Sequence, residues 1–168
     1  SNGYPIEIVH KKTNDVKVLR SRLDHFKSTL RNDTLFIQFT GSNIPMAQRF
    51  NSKAPAGIFI ENNELSSVIN ANMHARVTDF SIQNLKLTLK GNSLSEINNC
   101  NLNIMDVDLK NSSQIEFLNT NTVDSLYLTM ANTSIARLES IEFKTIKQSL
   151  SDSIFFVLSK ETFNRILK

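Results

Sequence analysis

The sequence predicts an all-β chain folded as a parallel β-helix, or solenoid. Three observations carry that reading. Residues 87–157 contain four copies of one pattern at a period near 20 residues. Inside each copy apolar and polar residues alternate, which is the period of a half-buried strand. The alternation breaks at short polar clusters rich in Asn and Ser, in a chain with 20 Asn and 19 Ser among 168 residues.

The four copies are LTLKGNSLSEI (87–97), VDLKNSSQIEF (107–117), LTMANTSIARL (128–138) and KQSLSDSIFFV (147–157). They align on Ser93, Ser113, Ser134 and Ser153, spaced 20, 21 and 19 residues apart. Ile97, Phe117, Leu138 and Val157 follow these serines by four positions. Leu89, Leu109, Met130 and, as an exception, Ser149 precede them by four. Leu87, Val107, Leu128 and Lys147 precede by six. Leu102, Val123, Phe143 and Phe163 fall near the following bend. A weaker earlier copy places Ile69 and Val77 in the flanking apolar columns, with Met73 replacing the serine.

Each copy is expected to form one coil, with successive coils stacked about 4.8 Å apart. Like residues then form ladders: aliphatic ones inside, and serines hydrogen-bonded to one another along the axis. Gly91-Asn92, Asn111-Ser112, Asn132-Thr133 and Ser151-Asp152 make the corners, being residue types that tolerate left-handed backbone or bond to their own main chain. A leucine-rich repeat has a similar period, but it calls for a differently placed Asn and a helix in each repeat.

The chain reads as one domain, 1–168. Residues 1–60 form an irregular N-terminal strand region, 65–158 the regular rungs, and 159–168 a C-terminal cap or partial rung. Tyr4, Ile6 and Ile8 alternate as in a strand. Val16, Leu19, Leu23, Phe26 and Leu30 step as an amphipathic helix does. Yet Phe26–Leu30 and Leu35–Phe39 about Arg31-Asn32-Asp33-Thr34 also read as a hairpin; both readings stand. Gly57–Ile60 is a buried strand after Ala54-Pro55. Ser159 is a candidate helix N-cap ahead of Phe163, Ile166 and Leu167.

One Cys excludes an intramolecular disulfide and a Cys-rich zinc site. The net charge of +3 is local, because residues 1–31 carry seven Lys/Arg against three acids, whereas 81–168 balance at nine each. With no Trp and two Tyr, the chain lacks the basic stripe and interleaved aromatics of a nucleic-acid binder. No apolar run reaches the roughly 20 residues of a membrane helix. The start, Ser1-Asn2-Gly3 without Met, reads as a mature chain whose export signal has been removed.

The order of elements resembles the bacterial auto-transporter adhesin head GIN domain family. The resemblance runs through Val16–Leu35, TLFIQF (34–39), APAGIFIENNELSSV (54–68) and the serine-centred rungs. The family's Gly-Ser-Gly-like corners are here GNS, NSS, NTS and SDS. The resemblance implies a right-handed β-helix, export to the periplasm or outer-membrane surface, and a cell-envelope protein or lipoprotein. It carries over no catalytic residues. The expected role is a noncatalytic adhesin-like binding or scaffold module, with a self-assembling structural module as the alternative and a β-helix carbohydrate-active enzyme behind both.

The search for chemistry yields no catalytic, metal or cofactor constellation. His10, His25 and His74 lack ligand spacing. Ser93, Ser113, Ser134 and Ser153 lack a GxSxG elbow and a partnered His. Cys100 reads as a half-buried corner residue and Asp152 as a turn-former. Asp106 and Asp108 flank inward-facing Val107, so both point outward, with Lys86 and Thr88 one coil earlier in the same columns. An ion pair between Lys86 and Asp106 is expected. Lys110 joins this outer face, and Tyr127 is expected exposed on it. Lys86, Asp106, Asp108 and Tyr127 are therefore the candidate binding face. The expected partner is a glycan, an envelope protein or a second copy of the chain, with no nucleic acid and no cofactor.

Overall fold

In a computed structural model describing residues 5–20, 26–39, 56–151 and 153–166, the strands stack in parallel register as a β-solenoid of about five turns. The strands are β1 (Ile6–His10), β2 (Asp15–Val18), β3 (Phe26–Arg31), β4 (Thr34–Phe39), β5 (Ile58–Asn62), β6 (Ser67–Ala71), β7 (His74–Thr78) and β8 (Ser81–Lys90). They continue as β9 (Leu94–Asn98), β10 (Asn101–Lys110), β11 (Gln114–Leu118), β12 (Asn121–Met130), β13 (Ile135–Leu138), β14 (Ile141–Leu150) and β15 (Phe155–Leu158), followed by one helix, α1 (Lys160–Ile166). Short and long strands alternate and build two sheets. An eight-stranded sheet runs β15-β13-β11-β9-β7-β1-β5-β2, and a five-stranded sheet runs β14-β12-β10-β8-β6. The β3–β4 hairpin stands apart from both, packing Phe26, Ile37 and Phe39 against the core.

Alternation explains the core. Leu85, Leu87 and Leu89 lie beneath Met105, Val107 and Leu109, which lie beneath Leu126, Leu128 and Met130, and all are buried. Ile97, Phe117 and Leu138 face them from the other sheet. The ten-residue strands change phase once. In β10, Leu102 points in, Asn103 and Ile104 are both exposed, and Met105 points in again. Two consecutive outward residues mark a bend, so each long strand turns a corner without leaving its ladder.

Left-handed backbone makes the remaining corners, including three of the four expected; Asp152 of the fourth lies outside the described residues. Positive φ occurs at Gly91, Asn111, Ser112, Asn132 and Thr133, and again at Asp79, Asn99 and Asn119. A Cβ at Gly91 would lie 2.2 Å from Asn72 Oδ1, so close approach adds to the need for glycine there. Side-chain bonds run from coil to coil along the corners: Asn132 to Asn111, Ser112 with Thr133, Asn119 to Asn98, and Asn99 to Asp79.

The coils step evenly. His74, Leu94, Gln114, Ile135 and Phe155 lie directly above one another, at steps of 20, 20, 21 and 20 residues. The extra residue enters the corner after β11: Phe117 and Asn121 are four apart, whereas Ile97 and Cys100 are three apart in the coil below. Asn121 fills that corner, with its amide nitrogen near the carbonyls of Ile97, Leu118 and Ser140, and its Oδ1 accepting the Cys100 N–H.

Several sequence expectations need correction. The last coil is one residue out of the expected register: Ile135 pairs with Phe155, so Ile154 and not Ser153 stands above Ser134. The column residues there are Leu150, Gln148 and Leu158, in place of Ser149, Lys147 and Val157. Pairing through the backbone keeps coil length constant and overrides the match of one serine. At the other end Met73 does stand below Ser93, but Asn70 takes the aliphatic column and Ile69 faces solvent. Ser93, Ser113 and Ser134 stack, yet they do not bond to one another. Ser93 donates to the Lys90 carbonyl, while the Ser113 and Ser134 hydroxyls are buried without a partner among the described residues. Cys100 is fully buried rather than half-buried, and burial pushes its thiol pKa up.

Of the two readings for 16–30, the described residues support strands, with β2 at 15–18 and the β3–β4 hairpin as expected. Tyr4, Leu23 and Ala54-Pro55 lie outside the described residues. Strand β1 is inserted between β5 and β7, parallel to both, and β2 closes the sheet by antiparallel pairing with β5. The tail is helical, and the Ser159 hydroxyl accepts the Thr162 N–H as an N-cap. Phe163 therefore lies on α1, half exposed, rather than in a rung.

These features set three expectations for denaturant unfolding. Leu109→Asp places an unpaired charge in the core and costs several kcal/mol, roughly 3 or more, enough to abolish a cooperative transition. Asn121→Ala orphans the Cys100 N–H and the carbonyls it serves, at about 1–3 kcal/mol per group. Ser113→Ala removes a hydroxyl that has no partner, and it leaves the midpoint unchanged or raises it.

Candidate functional site

The outer face of the five-stranded sheet gathers the four expected residues. Its first outward column is Ser67, Lys86, Asp106, Tyr127 and Lys147; its second is Ile69, Thr88, Asp108, Thr129 and Ser149. Outward position follows from alternation: in the three middle strands these residues flank Leu87, Val107 and Leu128, all of which point into the core, and in β6 and β14 they flank Val68 and Gln148 of the same inward column. Lys86 Nζ lies 3.6 Å from Asp106 Oδ2, the expected ion pair between coils. Lys110 Nζ lies 2.8 Å from Asp108 Oδ2. Tyr127 is 38% exposed, and the Lys147 ammonium sits over its ring, 5.6 Å from the centroid. Across the bend, Lys144 pairs with Asp124 at 2.8 Å.

Opposite charges thus sit one coil or one column apart, and the face carries no field of a single sign. The corners bordering it are short: 91–93, 111–113 and 131–134 on one side, 99–100, 119–120 and 139–140 on the other. The long strands between these corners bend once, at 83–84, 103–104 and 124–125, and the four residues all lie on the C-terminal side of that bend. Asp106 and Asp108, two residues apart on one strand, project side by side at about 6.7 Å. Each faces a lysine rather than an enclosing wall. The second oxygen of Asp108 is buried and has no partner among the described residues.

The structure also shows a polar cluster that the sequence did not reveal. On the outer side of the eight-stranded sheet, Glu7, Arg76, Glu96, Glu116 and Arg137 form one outward column. Glu96 is nonetheless completely buried. One of its carboxylate oxygens is met by His74 Nε2 at 2.9 Å and by Arg76 Nε at 2.5 Å. Burial pushes the Glu96 carboxyl pKa up, but the hydrogen bonds and charges of His74 and Arg76 outweigh it and hold the group below the ordinary carboxylate range. Alternation assigns Glu96 to the outside of the sheet, and nothing in the local pattern says that this outer surface is covered. His74 is accordingly a structural histidine. His10 is exposed, with its ring 5.5 Å from Phe80, and His25 lies outside the described residues. Among the described residues no three His, Cys, Asp or Glu side chains gather as metal ligands, and no helix is long and apolar enough to cross a membrane.

Fold and face together define a parallel β-solenoid with a regular polar face on its five-stranded sheet. No family model, curated protein or solved structure matches the chain.

The Glu96 cluster gives the protein an acid limit. A carboxyl held below its unfolded value of about 4.3 contributes stability above that pH and loses it as pH falls through the lower folded value. Glu96→Gln is expected to cost about 3–5 kcal/mol near pH 7, as breaking one partner of a buried pair does. Urea midpoints of wild type and variant should converge at lower pH, because protonation removes the same interaction from the wild type.

Proposed function

We propose that this chain is a noncatalytic binding or scaffold module of an exported cell-envelope protein, adhesin-like in role. Its outer five-stranded face engages an extended glycan or envelope partner. One observation carries this reading: the face is an exposed, regular array of paired charges and one aromatic ring, and no loop among the described residues rises beside it. A broad ligand can lie across several coils and meet repeated donors and acceptors, with Lys86, Asp106, Asp108 and Tyr127 nearest the centre. Hydrolytic or lyase chemistry calls for groups enclosed around a scissile bond, and the bordering corners of two to four residues supply no enclosure. The resemblance to the auto-transporter adhesin head GIN domain family supports export and an envelope role.

The test is native affinity electrophoresis of the chain through a panel of polysaccharides, with the glycans recovered and sized. Retardation without cleavage is expected. Tyr127→Ala and the double variant Lys86→Ala/Asp106→Ala should each weaken it by about tenfold while leaving the unfolding midpoint nearly unchanged, because these side chains lie outside the core. Cleavage by the wild type that disappears in Asp108→Ala would replace this reading with that of a β-helix enzyme. An absence of retardation on every glycan would remove the glycan as ligand.

A further inference from the structure

The two sheets end differently on the C-terminal side of the solenoid. The eight-stranded sheet ends on β15, against which α1 packs. The five-stranded sheet ends on β14, ten residues long, and among the described residues no strand pairs with its far side. Such an edge presents a row of backbone donors and acceptors. Its inward positions Ile146, Gln148 and Leu150 continue the buried columns of Leu126, Leu128 and Met130. Here the aliphatic core reaches open solvent: Leu150 is 41% exposed, Gln148 is exposed and Ile146 is half-buried.

Edges are ordinarily protected by charge. Lys147 is the single charged residue within 145–150, and its ammonium is turned back over the Tyr127 ring on β12. By contrast, β2 at the other end of the eight-stranded sheet is antiparallel and charged, with Lys17 paired to Asp15 and Glu61.

The segment Ile146-Lys147-Gln148-Ser149-Leu150 is self-complementary. Antiparallel pairing of two copies about a two-fold axis at Gln148 sets Ile146 against the second copy's Leu150 and Lys147 against its Ser149. The two Gln148 amides meet at the axis, where each can donate to and accept from the other. No like charges face one another. A shift by one residue sets inward positions against outward ones. A shift that centres the axis on Ile146 sets Gln148 against Lys144, across the bend where the inward phase changes. Head-to-tail stacking of β14 on β6 fits less well. It sets Leu150 against Asn70, and the eight-stranded sheet runs three strands beyond the level of β6, through β1, β5 and β2.

We infer that β14 is a self-association edge, through which two copies of this chain join their five-stranded sheets into one ten-stranded sheet. The axis is perpendicular to the sheet, so both outer faces lie on the same side and the two Lys86–Asp106–Tyr127 arrays become neighbours. The inference does not depend on the ligand proposed above.

The experiment is sedimentation equilibrium of the full chain from about 1 µM to about 1 mM, a range suited to a small edge interface. A reversible monomer–dimer equilibrium is expected. Gln148→Lys, at an exposed position, places like charges on the axis and should weaken the dimer by about tenfold or more, with an unchanged circular dichroism spectrum. Gln148→Leu should tighten it, and Ser67→Lys on β6 should have no effect. A monomer at every concentration overturns the inference, as does a dimer indifferent to Gln148→Lys. Growth beyond dimer that Ser67→Lys suppresses also overturns it, in favour of head-to-tail stacking.

Discussion

Parallel stacking at constant coil length is the constraint on which the rest of this molecule depends. Each coil bonds through its backbone to the coils above and below, so every residue is held over its counterpart. A change of one residue in coil length would turn the next coil's inward set outward. The even steps from His74 to Phe155 satisfy that condition, with one exception in the corner after β11. The exception is absorbed within that corner and does not propagate. Asn121 occupies the corner, and its amide nitrogen reaches carbonyls belonging to three coils.

The corners show why this fold is rich in Asn and Ser. A tight turn between stacked strands needs left-handed backbone, and Asn adopts it at lower cost than most residues while bonding its neighbour one coil away. Asn111, Asn132 and Asn119 do both. The excess of Asn is therefore structural. Serine behaves differently: Ser113 and Ser134 occupy an inward corner position where a small residue fits, and among the described residues their hydroxyls find no partner.

The same regularity shapes the candidate site. Side chains on the outer face repeat at the spacing of the coils, so neighbours in a column are chosen by residues about 20 positions apart in sequence. Lys86 meets Asp106, and Lys147 meets Tyr127, for this reason alone. A face built this way repeats from coil to coil. Joining two copies through β14 would lengthen the pattern of columns without altering it.

Period-two alternation and a repeat near 20 residues were enough to determine the solenoid class, the inward columns of the central coils, the corner positions and the grouping of Lys86, Asp106, Asp108 and Tyr127 on one face. These features are local or strictly periodic, so they can be read along the chain. The last coil could not be read correctly, because Ser153 imitates the corner serine while backbone pairing selects Ile154. Only the tertiary structure decided the insertion of β1 between β5 and β7, since that contact joins segments about 50 and 70 residues apart, which no period links. It alone also decided the burial of Glu96. Alternation tells which side of a sheet a residue occupies, but only the packed molecule determines whether that side meets water.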